Sequence, residues 1–344
     1  MRSRVRLGAA LGTVALGLML IGCRPSSPAR PVGTPNRPPQ SAAPLRIATF
    51  TWTGHGPFYV AQEKGFFRDQ GVKVALSRMD GTSERRAAIG AGRIDAIATG
   101  LEEAVILRAN GVNLKAILET DQSSGADGLV AKRTIKTVRD LRGKTVAYGE
   151  GTPSHIFLTQ VLKKAGLTTK DIVSKYMSPE EAGAAFTSSK VDAAVTWEPW
   201  LTKAKDKSNS HLLISTAQEP GLIAAVLAVR ADSLSSRRAD WVGVLRAWFK
   251  AVSFGQQHPK EAQQIMSKTF GLPVADIAAM LQTDVIAGEK ENLAYFGRVK
   301  EGSVYGIHRA ISDEWLATGL IKQPEAAEKA IDASLLREIW KATK

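Results

Sequence analysis

Val191-Asp192-Ala193-Ala194-Val195-Thr196-Trp197-Glu198-Pro199-Trp200 is the stretch whose reading decides the fold. A short apolar run held between Lys190 and Pro199 has the composition of a strand buried inside a parallel sheet. In open α/β sheets, ligands sit outside the carboxyl ends of the strands. This strand end carries an indole, a carboxylate and a rigid proline, so Trp197 and Glu198 are expected to face a ligand.

The same pattern occurs earlier in the chain. Gly92-Arg93-Ile94-Asp95-Ala96-Ile97-Ala98-Thr99 matches Ser189-Lys190-Val191-Asp192-Ala193-Ala194-Val195-Thr196. Each has a basic residue, then an Asp-Ala strand ending in Thr, with a carboxylate close behind (Glu102, Glu198). Two lobes of one topology, set face to face, would bring both strand ends to a single cleft. Around the earlier copy, strands are expected at Leu45–Phe50, Val72–Arg78, Ile94–Thr99 and Leu114–Thr120. Helices are expected between them at Pro57–Gln70, Ser83–Gly92 and Glu102–Asn110. The rhythm restarts with strands at Asp127–Lys132, Thr145–Tyr148, Ile172–Met177 and Val191–Trp197, and helices at Pro153–Ala165 and Pro179–Thr187. Such alternation implies parallel sheets with helices on both faces. Two more strands, Leu212–Thr216 and Ala224–Val229, precede a mostly helical remainder that includes Arg237–Gln257.

Three loops carry candidate binding groups. Trp52-Thr53-Gly54-His55-Gly56-Pro57 joins a strand end to a helix start. Its glycines admit close approach to the backbone, the free amides of a helix start favour a negative group, and Trp52 is placed to form an apolar wall. Gly149-Glu150-Gly151-Thr152-Pro153-Ser154-His155 repeats this grammar, with Thr152 and Ser154 as capping hydroxyls. Ser154 and His155 are adjacent on a helix and point about 100° apart, so they do not form a nucleophile–base pair. Thr120 to Asp127 falls between the two sets of strands and reads as a hinge with small polar groups, Ser124 and Asp127 among them. Two helix starts suit an anion, tryptophans suit an apolar part, and Glu102 and Glu198 suit donors or a positive group. The set fits a small organic ion, with selective binding and no turnover.

The ends and the composition set further bounds. Arg2, Arg4 and Arg6 followed by Leu7–Leu20 read as a secretory signal, its apolar part too short for a good membrane span. Leu20-Ile21-Gly22-Cys23 resembles a bacterial lipobox, and Cys23 is the sole cysteine of the sequence. Lipid on Cys23 would anchor the chain to the outer face of a membrane; the alternative is an ordinary signal with an incidental cysteine. Residues 24–44 hold seven prolines and read as an extended tether. The expected organisation is a signal over 1–22, lipidated Cys and tether over 23–44, one lobe from 45–126 with 227–344, and a second from 127–226. A lone cysteine leaves no disulfide framework, thiolate metal site or cysteine nucleophile. The five histidines show no zinc spacing, so no metal or cofactor is expected. The formal charge of +13 falls to +10 without the three signal arginines. Basic residues are spread along helices without interleaved aromatics, which reads as a solvated surface rather than a nucleic-acid interface.

The chain resembles the solute-binding components of ABC importers for nitrate, taurine and alkanesulfonates. The resemblance rests on Trp52-Thr53-Gly54-His55-Gly56-Pro57 with Ala61-Gln62-Glu63-Lys64-Gly65-Phe66-Phe67, on Ser123-Ser124-Gly125-Ala126-Asp127, and on Asp140-Leu141-Arg142-Gly143-Lys144-Thr145-Val146-Ala147. Gly151-Thr152-Pro153-Ser154-His155 and the opening decapeptide complete it. It implies a type II periplasmic-binding fold: two α/β lobes joined by two crossover strands, with a central ligand cleft closed by a hinge. It also implies docking of the loaded protein, a monomer, on a permease with its ATPase. The positions that match the family's ligand loops are Trp52, Gly54 and His55 on one lobe, and Thr152, Ser154, His155, Trp197 and Glu198 on the other. These loops contain no arginine to clamp a sulfonate, while Glu102, Asp121, Asp127 and Glu198 lie near them. That favours an amine-bearing or zwitterionic solute such as taurine, or a nitrogenous cation, over bare nitrate. Two rival readings are a tethered sensor that feeds no importer, and a pyrimidine-precursor synthase on the same fold. The synthase is expected to carry a cysteine-rich iron motif, and no cysteine follows Cys23.

Overall fold

The computed structural model describes residues 43–219, 221–297 and 302–342. The signal, Cys23 and nearly all of the tether lie outside these residues. The described strands are β1 (Leu45–Thr49), β2 (Val74–Arg78), β3 (Ala96–Gly100), β4 (Leu114–Ser123), β5 (Asp127–Lys132), β6 (Thr145–Tyr148), β7 (Val173–Tyr176), β8 (Ala193–Trp197), β9 (Ser210–Ser215), β10 (Ala224–Arg230) and β11 (Asp284–Ile286). They form two sheets, in the orders β11-β4-β10-β3-β1-β2 and β7-β6-β8-β5-β9.

Read from β2 and from β7, the sheets are wound alike. β3 and β8 hold equivalent places, each third in its sheet, parallel to the second strand (β1 or β6) and antiparallel to the fourth (β10 or β5). Even the register agrees: Ile47 and Ala48 face Ala96 and Ile97, while Val146 and Ala147 face Ala193 and Ala194. The repeated Asp-Ala pattern therefore marks equivalent strands. Both are almost wholly buried, as strands covered on two faces must be.

The sheets are mixed rather than purely parallel. β10 runs antiparallel to β3 and β4, and β5 antiparallel to β8 and β9, because each enters its sheet after the chain has crossed over. Ala224 already pairs with Gln122, so residues 224–226 sit in the first sheet rather than with residues 127–223. The expected helix over Pro57–Gln70 is two helices, Gly56–Glu63 and Phe66–Asp69, broken where Gly65 takes φ 72°. β11 was not evident in the sequence.

One core packs the first sheet and includes Trp241 and Trp248 from the helix Arg238–Gln257. The second sheet has a cluster on each face. Leu129, Val146 and Tyr148 lie on one side and Val130 and Ala147 on the other, following the alternation of strand side chains.

The crossovers meet at Thr216. Its Oγ1 lies 2.7 Å from Ser123 Oγ, accepts from Gly125 N at 2.8 Å and donates to Asp127 O at 3.3 Å. Asp127 N donates to Ser123 Oγ at 3.1 Å, which closes a ring when Ser123 donates to Thr216. Gly125 takes φ 114°, a conformation that side chains rarely adopt.

Candidate functional site

The carboxyl ends of β1 and β8 meet at a cavity of about 840 Å³ between the sheets. From one side β1 runs into Phe50, Thr51 and Trp52; from the other β8 ends in Trp197 and continues to Glu198. The Trp197 ring lies 6.4 Å from Phe50, nearly parallel to it, and 6.4 Å from Trp52. Trp52 is buried and Trp197 is half-buried at the cavity wall.

The loop after β1 is sewn down by carboxylates. Trp52 Nε1 donates to Asp121 Oδ2 at 2.9 Å, and Thr53 Oγ1 donates to Asp284 Oδ2 at 3.0 Å. Gly54 is wedged beneath: a Cβ there would lie 1.9 Å from Asp121 Oδ1 and 2.6 Å from Trp52 Nε1. The expectation that this helix start cradles an anion therefore meets two buried acids instead. His55 is fully buried behind Phe50, edge-on at 4.6 Å, with Nδ1 3.2 Å from Phe50 O and Nε2 without a partner. Burial drives its pKa down to about 3, aided by the Arg85 charge and opposed by the Phe50 bond, so the ring is neutral.

On the facing side, Thr152 Oγ1 donates to Gly149 O at 2.8 Å and borders the cavity. Ser154 Oγ is fully buried and has no hydrogen-bond partner. His155 Nδ1 accepts from Gly151 N at 3.2 Å, so its proton is on Nε2. Its ring lies between Tyr148 at 5.1 Å and Trp315 at 5.0 Å, the latter from the helix Val304–Ala317 of the first lobe. Burial lowers its pKa to about 4. Glu198 borders the cavity but also caps the short helix Trp200–Lys205, accepting from Thr202 N at 3.1 Å and Thr202 Oγ1 at 2.8 Å. Ser124 is not brought to the cavity. It is exposed on the crossover, where its N donates to Thr283 O at 2.9 Å.

Glu102 and Asp127 are buried, and neither Glu102 Oε1 nor Asp127 Oδ1 has a hydrogen-bond partner. Asp284 Oδ1 is in the same condition. Desolvation raises Asp127 to about 7, opposed by Ser123 and reinforced by Asp121 and Glu198. It raises Glu102 to about 8, reinforced by Glu103 and Asp127. Asp121 and Asp284 are pushed up by burial too, and Asp284 is raised further by Asp121 and Asp127. Glu102, Asp121, Asp127 and Asp284 thus form one electrostatically linked set.

Several cavity residues were not singled out in the sequence, the basic Arg85, Arg86 and Lys203 among them. Arg85 and Arg86 lie on the helix Thr82–Gly90, outside the loops around Trp52, Thr152 and Trp197. The signal was there: Gly81-Thr82-Ser83 after β2 repeats the strand-end, glycine and helix-start grammar of the other loops. Arg85 Nη1 donates to Met79 O at 2.8 Å and Asp80 O at 2.9 Å, and its guanidinium lies 4.5 Å over the Phe50 ring. Arg86 Nε donates to Glu103 Oε1 at 3.0 Å, and Nη2 reaches Gly151 O across the cleft at 3.5 Å. Both guanidiniums are already engaged within the protein.

Comparison with known proteins follows the same architecture. The chain is 31% identical over 196 residues to an Escherichia coli (strain K12) protein provisionally named as aliphatic sulfonates-binding, a match covering 56% of this chain. The chain spans 61% of that relative's length. A shorter match, 31% identical over 119 residues, covers 34% of this chain and 35% of the 4-amino-5-hydroxymethyl-2-methylpyrimidine phosphate synthase of Uromyces fabae. The crystal structure of the periplasmic aliphatic sulphonate binding protein SsuA from Escherichia coli matches with a TM-score of 0.71 at 22% identity. That match covers 86% of this chain and 100% of SsuA, and it shows the periplasmic-binding fold of two α/β lobes, crossovers and a central cleft. Residues 52–262 match the family described as NMT1/THI5 like, a span that takes in the loops around Trp52, Asp127, Ser154 and Trp197. The chain belongs to the NMT1/THI5 like family.

Proposed function

We propose that this chain is an extracytoplasmic solute-binding lipoprotein of an ABC importer. It captures a small sulfonate, taurine-like or nitrogen-containing solute by hinge closure and delivers it to a permease with its ATPase. The observation that carries this reading is the cavity walled by aromatic side chains from both sheets, which two hydrogen-bonded crossovers join. Such an arrangement encloses a solute when the lobes rotate together about the crossovers. The E. coli relative named for aliphatic sulfonates supports the same role. Lipid on Cys23 holds the protein, a monomer, at the outer face of a membrane, with the proline-rich segment as its tether.

The protein acts by binding and not by catalysis. The His155 nitrogen nearest its own helix start is taken by the Gly151 amide, and Ser154 Oγ has no base beside it. The match to the pyrimidine synthase takes in about a third of the chain and leaves the synthase reading second.

A thermal-shift screen tests the proposal on the compact unit over residues 39–344. The panel holds sulfonates, nitrate, taurine, guanidino compounds and thiamin precursors. A ligand at a hundredfold excess over its dissociation constant stabilises the fold by about 2.7 kcal/mol. One chemical class should raise the melting temperature and be recovered unchanged; a panel without any shift, or conversion of the bound compound, overturns the reading.

A further inference from the structure

We infer that the solute presents a nitrogen cation, an ammonium, amidinium or guanidinium group, to Asp127 and Glu102 beside the face of Trp197, and that simple sulfonates and nitrate are refused. This inference rests on the proposed role in solute capture and names the class of solute.

The geometry begins with a strand pair. Asp127 on β5 is the register partner of Trp197 on β8, so the carboxylate and the indole project from the same face of the second sheet. Trp197 is open to the cavity, while Asp127 is buried beside it with Oδ1 unmatched. A cation held there gains both the carboxylate and the ring face, on which cations rest within about 6 Å of the centroid.

Glu103, next to Glu102, is compensated where Glu102 is not. Glu102 and Glu103 are consecutive and both buried. Glu103 has Arg86 at 3.0 Å and Arg85 at 3.8 Å, whereas Glu102 is met by the backbone amides of Glu102 and Glu103 and, among charged groups, by the carboxylates of Glu103 and Asp127. The chain thus supplies guanidiniums to one glutamate and none to its neighbour. Buried carboxylates without a counter-ion are costly, and a guest cation removes that cost.

The unmatched atoms agree in kind. Glu102 Oε1, Asp127 Oδ1 and Asp284 Oδ1 are acceptors, Ser154 Oγ can accept, and His55 Nε2 accepts when Nδ1 donates to Phe50 O. A sulfonate or nitrate has no N–H to offer them and adds like charge. Arg85 Nε is an unmatched donor, yet its guanidinium is stacked on Phe50 and bonded to two backbone carbonyls. A metal ion is the other cation to weigh. Among the described residues no group of three or more His, Cys, Asp or Glu side chains is placed to hold one. An organic cation, longer than a metal ion, spans the set instead.

Without a guest, burial keeps Asp127 and Glu102 partly protonated near neutrality. The titratable groups facing them are the carboxyls of Glu103, Asp121, Glu198 and Asp284 and the Tyr295 phenol, none of them cationic. A cation therefore enters with release of protons.

Titration calorimetry on residues 39–344 with agmatine, benzamidine, taurine, methanesulfonate and nitrate tests this. Runs at pH 7 in two buffers of different ionisation enthalpy measure proton release. At least one of agmatine, benzamidine or taurine should bind with proton release, and methanesulfonate and nitrate should not bind. Asp127→Asn and Glu102→Gln should each weaken that binding about tenfold or more. Each variant's ligand-free melting temperature serves as the folding control, and proton release by the unaltered protein stands even if a variant fails to fold. Binding of methanesulfonate or nitrate, with the amine-bearing probes inert, overturns the inference and leaves solute capture standing. Binding of an amine-bearing probe without proton release, or with full affinity in both variants, also overturns it. If no member of this panel or of the wider screen binds, solute capture itself is overturned, and this inference with it.

Discussion

Trp52 Nε1 donates to Asp121 Oδ2 at 2.9 Å, tying the loop after β1 to the end of β4 just before the crossover. The indole is at once part of an apolar cluster with Ala126, Met280 and Trp197 and the donor to a buried acid. Trp52→Phe keeps an aromatic ring in that cluster and removes the donor, leaving Asp121 with Thr120 Oγ1, which donates to its Oδ1 at 3.0 Å. Loss of a bond to a buried carboxylate costs about 1–3 kcal/mol. Denaturant unfolding should show that loss as a lower midpoint with an unchanged slope.

Gly54 offers a second test. Its missing Cβ leaves room for Asp121 Oδ1, which would otherwise stand 1.9 Å away. Gly54→Ala should destabilise the fold by about 1–3 kcal/mol through overpacking and should push the Trp52–Asp121 pair apart. Tryptophan fluorescence reports the second effect and thermal unfolding the first.

The buried acids set a pH dependence whose sign is definite. Glu102 at about 8 and Asp127 at about 7 lie above their ordinary values of 4.5 and 3.8. Between those limits the fold binds more protons than the unfolded chain, so stability falls as pH rises. Glu119, buried on β4 and raised to about 8, adds to the fall. His55 at about 3 and His155 at about 4 lie below 6.5 and act in the opposite direction, but only up to pH 6.5. Above that value the carboxylates act without them. The ligand-free melting temperature should decline from pH 6.5 to 8, and Glu102→Gln should flatten the decline.

Arg86 joins Glu103 on its own lobe to the Gly151 carbonyl on the other. Arg86 is about one-third exposed, so screening holds the ion pair to about 1 kcal/mol or less. Arg86→Ala should therefore leave overall stability nearly unchanged while favouring the open cleft. Small-angle scattering should show a larger radius of gyration, and solute affinity should fall by less than about tenfold.

The sequence revealed some of this and concealed the rest, for physical reasons. The Asp-Ala repeat identified β3 and β8 as equivalents because burial on both faces leaves a strong apolar signature. Strand direction left no such trace, since β5 and β10 look like any buried strand and are antiparallel only because of where the chain arrives. β11 is three residues long and has too few positions to show a period. Ser124 was singled out, yet it is Ser123, one residue earlier, whose hydroxyl turns inward to Thr216. Arg85 and Arg86 reach the cavity through the placement of a whole helix, which no local motif encodes.

Arg230 on β10 pairs with Leu114 on β4, and the entire second sheet is threaded between them. The first sheet cannot be completed until that excursion has been made and its ends drawn together. The second sheet is continuous from Asp127 to Ser215 and needs no strand from elsewhere. Folding it first shortens the effective loop, because an assembled body spans the gap that a flexible chain would have to close. The connectivity thus predicts an order of assembly in which the inserted half matures early and the half holding both ends follows, an order that pulsed hydrogen exchange during refolding would read directly.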